Sequence, residues 1–305
     1  MNAIAAKVNA RVFMPPDGEP TYVVTNTADG CVHFTTPAPP GVLAENVDME
    51  FVLLPVANSA VGVPTLLLSS RQPGGPLADK VILYSHGNAD DLGTILPYIF
   101  HLCATLGCAV MAYDYRGYGH ARAPGKYPTE QTCYEDAEAV LQYLVAAKKY
   151  VESQIILFGR SLGCSMAIEG ARLHGRVHAV VLEAPFLSIL DMSSAWPLTY
   201  FPGFPNMFAN RDKAPEVVRA GAAPILIMHG TADSIIPHLH GEELAIAFRA
   251  VLGRNQDRLT LVLVPGADHN NMCAAEFHAF YMQGLADFLF TIPPYPQQQQ
   301  QQQQQ

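Results

Sequence analysis

Ser153-Gln154-Ile155-Ile156-Leu157-Phe158-Gly159-Arg160-Ser161-Leu162-Gly163-Cys164 runs from an apolar stretch, through Gly-Arg-Ser-Leu-Gly, into a segment with helical spacing. Ile155 to Phe158 is short, β-branched and aromatic, which suits a strand buried on both faces. From Ser161 to His174, small and apolar residues recur at helical intervals. A strand that turns abruptly into a helix around Gly-x-Ser-x-Gly reads as a nucleophile elbow. Gly159 and Gly163 leave room where strand and helix approach, and they permit the tight turn that pushes a serine hydroxyl outward. The five-residue pattern alone is a weak signal, and the strand before it and helix after it supply the context it needs. Ser161 is the candidate nucleophile.

Downstream, His178 to Leu182 is the next strand, ending at Glu183-Ala184-Pro185. Pro224 to Pro237 is another that ends in a loop, and this loop presents the Asp233 carboxylate. Leu259 to Val264 is the last strand, and the loop after it carries Asp268-His269-Asn270-Asn271. Ser161, Asp233 and His269 thus follow one another in the order nucleophile, acid, histidine, each just past the carboxyl end of a predicted strand. Glu183, at the end of the neighbouring strand, is the chief competitor for the acid. Asp268 adjoins the histidine in sequence, which disfavours it as the relay partner. His229, His238 and His240 read as packing or solvated residues.

Upstream, the buried strand Val81-Ile82-Leu83-Tyr84 ends in Ser85-His86-Gly87-Asn88-Ala89-Asp90-Asp91 before an apolar helix. Such a turn leaves unpaired N–H groups at the helix start. The N–H of Asn88 is therefore one expected oxyanion donor, and the N–H of Leu162, next to the nucleophile, is the other. Helix capping, with Asp90 and Asp91 beside the positive end of the dipole, is compatible with that role. Thr94 to Tyr113 carries no Asp, Glu, Lys or Arg, but Pro97, His101 and Gly107-Cys108 are expected to divide it into a helix and a strand rather than a membrane span. In the loop Asp114-Tyr115-Arg116-Gly117-Tyr118-Gly119, Asp114 and Arg116 read as structural. Thr129 to Lys149 reads as an amphipathic helix capped by Thr129.

Residues 1–46 form an extension with a hairpin signal: Tyr22 to Thr25, an Asp29-Gly30 turn, and Cys31 to Thr35. With strands near Met49 to Pro55 and Val63 to Ser70, it is expected to make an antiparallel entrance to a larger sheet. Residues 47–292 form the main domain. Within it, 186–223 crowds Trp196, Tyr200, Phe201, Phe204, Met207 and Phe208 among prolines, and reads as a small apolar lid over the elbow. Ala274 to Phe290 is a closing helix. Residues 293–305 are a Pro/Gln-rich tail expected to be disordered.

At 305 residues and 50% hydrophobic, the chain can bury one large core. A net charge of −9 without a Lys/Arg cluster argues against nucleic acid or an anionic membrane as an electrostatic partner, so any attraction to a surface is expected to be local and apolar. The six cysteines at 31, 103, 108, 133, 164 and 273 lack zinc-site spacing and read as buried thiols in a reducing compartment. No metal or cofactor is expected.

Leu83-Tyr84-Ser85-His86-Gly87-Asn88-Ala89, Tyr113-Asp114-Tyr115 with Gly117-Tyr118-Gly119, and His229-Gly230-Thr231 followed by Asp233 resemble the α/β-hydrolase-domain depalmitoylases. Phe13-Met14-Pro15-Pro16 and Pro20-Thr21-Tyr22 extend the resemblance over most of residues 13–290. It implies an α/β-hydrolase fold, with a mostly parallel eight-stranded sheet, helices on both faces and a lid. It also implies a serine hydrolase that removes palmitate from protein cysteines through an acyl-enzyme. The implied location is cytoplasmic, with peripheral contact to the cytosolic face of membranes through the lid. Those depalmitoylases carry an N-terminal cysteine cluster, whereas the first cysteine here is Cys31, and Arg160 stands beside the nucleophile as a further departure. A lipase or lysophospholipase-type carboxylesterase is the alternative for an acyl-protein or lipid-like ester substrate. A serine aminopeptidase-like peptidase and a non-catalytic binding protein rank behind it.

Overall fold

Apolar runs such as Val81 to Tyr84 and Ile155 to Phe158 have no polar face because the strands they form are covered on both sides. The structure is a computed structural model that describes residues 9–292, apart from 11, 27–31, 37–46, 58, 60, 72–74, 123–127, 193–204 and 222. The strands are β1 (Val23–Asn26), β2 (Val32–Thr35), β3 (Val47–Leu54), β4 (Val63–Ser70), β5 (Val81–Ser85), β6 (Ala109–Tyr113), β7 (Ile155–Arg160), β8 (Ala179–Glu183), β9 (Ile225–Gly230) and β10 (Leu259–Val264). The helices are α1 (Leu92–Leu106), α2 (Glu130–Ala146), α3 (Gly163–Leu173), α4 (Asn210–Ala220), α5 (Leu239–Leu252) and α6 (Ala275–Thr291).

Eight strands form one sheet in the order β10-β9-β8-β7-β5-β6-β4-β3. From β6 to β10 every neighbouring pair is parallel, while β4 runs antiparallel to both β3 and β6. Alternate strand residues feed two cores. Val81, Leu83, Ile155 and Leu157 meet α2, α3, α4 and α5 on one face. Ile82, Tyr84, Ile156 and Phe158 meet α1 and α6 on the other. After β5 the chain places β6 on one side of it and β7 on the other, so the order reverses between β5 and β7. A crevice opens beyond the carboxyl ends of strands at such a switch point. The loops that leave β5 and β7 carry Asn88 and Ser161.

Among the described residues, the antiparallel edge of the sheet consists of β3 and β4. The hairpin strands β1 and β2 pair with each other as a separate two-stranded sheet instead of extending the larger one. Aromatic contacts join the two sheets: Phe34 stacks on Phe51 at 5.7 Å and lies 4.9 Å from Tyr22. The turn expected at Asp29-Gly30 lies outside the described residues, as do Trp196, Tyr200, Phe201 and Phe204 of the lid and the 293–305 tail. Met207 and Phe208 are described and belong to the core, the Phe208 ring meeting Phe13 and Tyr134 at 5.8 Å each.

The Thr94 to Tyr113 run divides only at Gly107, whose φ of +66° ends α1 before β6 begins. Pro97 lies inside the helix and does not break it. Asp91 caps α1, its carboxylate accepting the Thr94 N–H at 3.0 Å. Among the described residues no helix is long and apolar enough to cross a membrane.

Candidate active site

Ser161 sits between β7 and α3 with a φ of +52°. Left-handed backbone costs a non-glycine residue about 1–3 kcal/mol and persists only where the surroundings impose it. Here its N–H donates to the Glu183 carbonyl at 2.8 Å, and its own carbonyl accepts from the Cys164 N–H at 3.0 Å. The flanking glycines are sterically required. A Cβ on Gly159 would come within 2.3 Å of the Gly163 carbonyl oxygen, and one on Gly163 within 1.9 Å of the Ser85 carbonyl oxygen.

His269, in the loop after β10, is buried, and its Nδ1 lies 2.8 Å from Asp233 Oδ2. If Nδ1 donates its proton to that carboxylate, Nε2 keeps a lone pair and can take a proton. Asp233 Oδ1 accepts the N–H groups of Ile235 at 2.9 Å and Ile236 at 2.7 Å, which fixes the carboxylate on its own loop. Burial alone would raise the Asp233 pKa. Hydrogen bonds from His229 and His269 outweigh that and hold the carboxyl well below the usual carboxylate range.

The two competing carboxylates do other things. Glu183 turns to Arg160 at 3.2 Å and accepts the hydroxyls of Tyr281 at 2.7 Å and Tyr98 at 3.1 Å. Asp268 collects the N–H of Ser234 at 2.7 Å, its hydroxyl at 2.9 Å and the N–H of His269 at 2.7 Å, joining the two loops that carry the acid and the histidine.

Ser161, His269, Asn88 and Leu162 line one cavity of about 250 Å³, with Val12, Phe186, Ile189, Met192, Ile235 and Ile236 among its apolar walls. No hydrogen bond joins the Ser161 hydroxyl to His269. The N–H groups of Asn88, in the turn after β5, and of Leu162, at the N-cap of α3, have no protein acceptor among the described residues. The Asn88 side chain is committed elsewhere. Its Nδ2 donates to the Val12 carbonyl at 2.7 Å, and its Oδ1 accepts from the Met14 N–H at 2.9 Å and the Tyr118 hydroxyl at 2.6 Å. Among the described residues no cluster of three or more His, Cys, Asp or Glu could hold a metal ion.

The family model described as serine aminopeptidase, S33, matches residues 77–211, a stretch that contains both the turn after β5 and the elbow. The alpha/beta hydrolase domain-containing protein aho-3 of Caenorhabditis elegans is 33% identical over 214 residues, 70% of this chain and 58% of its own length. Human alpha/beta hydrolase domain-containing protein 17B is 33% identical over 218 residues, 70% of this chain and 67% of its own length. The chain belongs to the alpha/beta hydrolase domain-containing proteins. Pyrococcus furiosus esterase Pf2001, a solved structure, superposes with a TM-score of 0.60 at 18% identity, over 79% of this chain and 89% of that one, a likeness of fold. The mostly parallel sheet with helices on both faces is accordingly the α/β-hydrolase fold.

A further buried side chain, read from the sequence as packing or solvated, lies against the Asp233 carboxylate. His229, fully buried at the end of β9, places Nε2 2.8 Å from the Ile236 carbonyl and 3.2 Å from Asp233 Oδ2. The Asp233 oxygen that meets His269 is thus flanked by a second imidazole. The signal was the four-residue spacing of His229 and Asp233 across a turn, since a tight reversal brings such residues face to face.

Proposed function

We propose that this hydrolase is a serine hydrolase that cleaves acyl thioesters or esters through an acyl-enzyme, with S-palmitoylated protein as its substrate class. The observation that carries the reading is the shared cavity. It brings together Ser161, a histidine hydrogen-bonded to a buried carboxylate, and two unpaired backbone N–H groups against apolar walls.

His269 Nε2 takes the Ser161 hydroxyl proton as the oxygen bonds to the carbonyl carbon. Asp233 holds the tautomer and stabilises the imidazolium. The N–H groups of Asn88 and Leu162 receive the oxyanion, an interaction worth about 2.7–4 kcal/mol per donor. The carbon–sulfur or carbon–oxygen bond then breaks, and the leaving group takes the proton from His269. Water repeats the sequence on the acyl-enzyme, its proton passing through His269 to the serine as the acid departs.

The apolar walls suit an acyl chain, which gains about 0.8 kcal/mol for each CH₂ buried. Met14 and Ile235, both lining the cavity and each 51% exposed, support a mouth that meets an apolar surface, such as the cytosolic face of a membrane. The resemblance to depalmitoylases supports the thioester over the ester.

A fluorophosphonate probe is expected to label the full chain at Ser161 and to leave Ser161→Ala unlabelled. Absence of labelling in folded wild-type protein removes the reading. Turnover of S-palmitoyl peptides above that of monoacylglycerols supports the thioesterase assignment. The reverse order makes the protein a carboxylesterase, and faster release of N-terminal amino acids from peptides makes it a peptidase.

A further inference from the structure

Arg160 is the last residue of β7 and pairs in register with Glu183, the last residue of β8. Its guanidinium is mostly covered, with the side chain 17% exposed, and it reaches four partners. Nε lies 3.2 Å from Glu183 Oε1, and Nη1 lies 3.0 Å from Asp90 Oδ2. Nη2 donates to the His269 carbonyl at 3.1 Å and to Asn270 Oδ1 at 2.7 Å. Those contacts join the elbow strand to the turn after β5, which carries the Asn88 N–H, and to the loop after β10, which carries His269.

Both carboxylates that hold the guanidinium are themselves placed. Glu183 Oε2 accepts the hydroxyls of Tyr98 and Tyr281, and Asp90 packs against Gly87, where a Cβ would come within 2.7 Å of its Oδ2 and 3.2 Å of Arg160 Nη1. A planar fork with five fixed donors can serve four acceptors in different directions at once. A lysine ammonium, a point charge with three donors on a flexible stem, cannot.

The geometry points to Arg160 as the positioning residue of this site: its guanidinium sets the separation of Ser161, the Asn88 N–H and His269 by tying the three loops that present them. The inference rests on the serine-hydrolase reading above. Arg160 acts through its neighbours and needs no contact with substrate. A displacement of about 1 Å among reacting groups can cost about 100-fold in rate, so loosening the clamp acts on the chemical step more than on binding.

The clamp is also reachable from solvent. Asp90, Arg160 and Asn270 line both the 250 Å³ cavity and a second cavity of about 700 Å³. Guanidinium ion can therefore enter the space that a truncated Arg160 leaves.

The test measures the rate of fluorophosphonate labelling at Ser161 in the full chain, together with kcat and KM on an S-acyl probe, for wild type, Arg160→Lys and Arg160→Ala. Both variants are expected to lose about 100-fold in labelling rate and kcat, with KM within about threefold of wild type. Millimolar guanidinium is expected to restore Arg160→Ala by about tenfold or more and to leave Arg160→Lys and wild type unchanged. Arg160→Lys that labels as fast as wild type, a loss confined to KM, or folded Arg160→Ala without rescue overturns the role. Should Arg160→Ala fail to fold, the Arg160→Lys rate and its split between kcat and KM decide alone. Wild type that folds but is not labelled sinks the serine-hydrolase reading and the inference with it; labelled wild type with undiminished variants sinks the inference only.

Discussion

At the scale of single residues, Asp233 is distinguished from Glu183 by direction. Both stand at strand ends near the elbow, both are buried, and both lie between Ser161 and His269 in the chain. Asp233 Oδ2 meets His269, whereas Glu183 spends both oxygens on Arg160, Tyr98 and Tyr281. Asp233→Asn is expected to lower kcat by about 10⁴-fold, because an amide stabilises the wrong imidazole tautomer. A loss under about tenfold would reassign the acid. The same carboxylate links stability to pH. Its folded-state pKa lies below its unfolded value near 3.9, so its contribution is present above about pH 4 and disappears as pH falls further toward the folded pKa. Urea unfolding of the wild type between pH 6 and pH 2 should show that loss, and Asp233→Asn should flatten it. His229 carries its signal only in its four-residue spacing from Asp233, because a buried histidine beside a carboxylate and one packed in a core otherwise have the same neighbours in the chain.

Among the elements, the elbow is the one whose local sequence says most. Its glycines are read from spacing, and the structure supplies the reason: β5 runs so close to α3 that a Gly163 side chain would overlap the Ser85 carbonyl at 1.9 Å. Backbone on both sides leaves no flexible neighbour to give way. Gly163→Ala is therefore expected to destabilise by more than the ordinary overpacking cost of about 1–3 kcal/mol, read from the urea midpoint. Gly253→Ala is the comparison. Gly253 has a strained backbone, with a φ of +57° and a ψ of −109°, but open space around it, so only the backbone cost of about 1–3 kcal/mol applies. Equal losses in the two variants would mean that close approach at the elbow contributes nothing. The hairpin marks the limit of element-level reading. Tyr22 to Thr35 announces two strands by composition and turn chemistry, but not that they pair only with each other and meet the larger sheet through the ring contact of Phe34 with Phe51.

Across the whole molecule, polar contacts tie the helical layer to the sheet. His174, at the end of α3, lies 2.8 Å from Glu138 of α2 and 3.0 Å from Glu152 just before β7. The hydrogen bond to Glu138, helped by Glu152 and opposed by partial burial, raises the imidazole to about 9. With the folded pKa above the unfolded value near 6.5, the stabilisation is complete below about pH 6 and is lost as pH rises through 9. Thermal unfolding from pH 6 to pH 10 is expected to show wild type converging on His174→Gln as pH rises. A constant difference between the two curves would place the contribution of His174 in packing instead of charge.

By itself the sequence determined the local pieces: which runs are buried strands, where Gly159 and Gly163 permit a tight turn, that the Thr94 to Tyr113 run does not cross a membrane, and that Ser161, Asp233 and His269 follow strand ends in order. Period, turn chemistry and side-chain size act over a few residues, so they can be read directly. Tertiary structure alone decided which carboxylate faces His269, that β1 and β2 stand apart, that His229 flanks the acid, and that Arg160 reaches Asp90, Glu183 and His269 together. The Arg160 contacts to these residues span 23 to 109 positions of chain, and they meet only because the strand order reverses between β5 and β7 and draws their loops to one crevice.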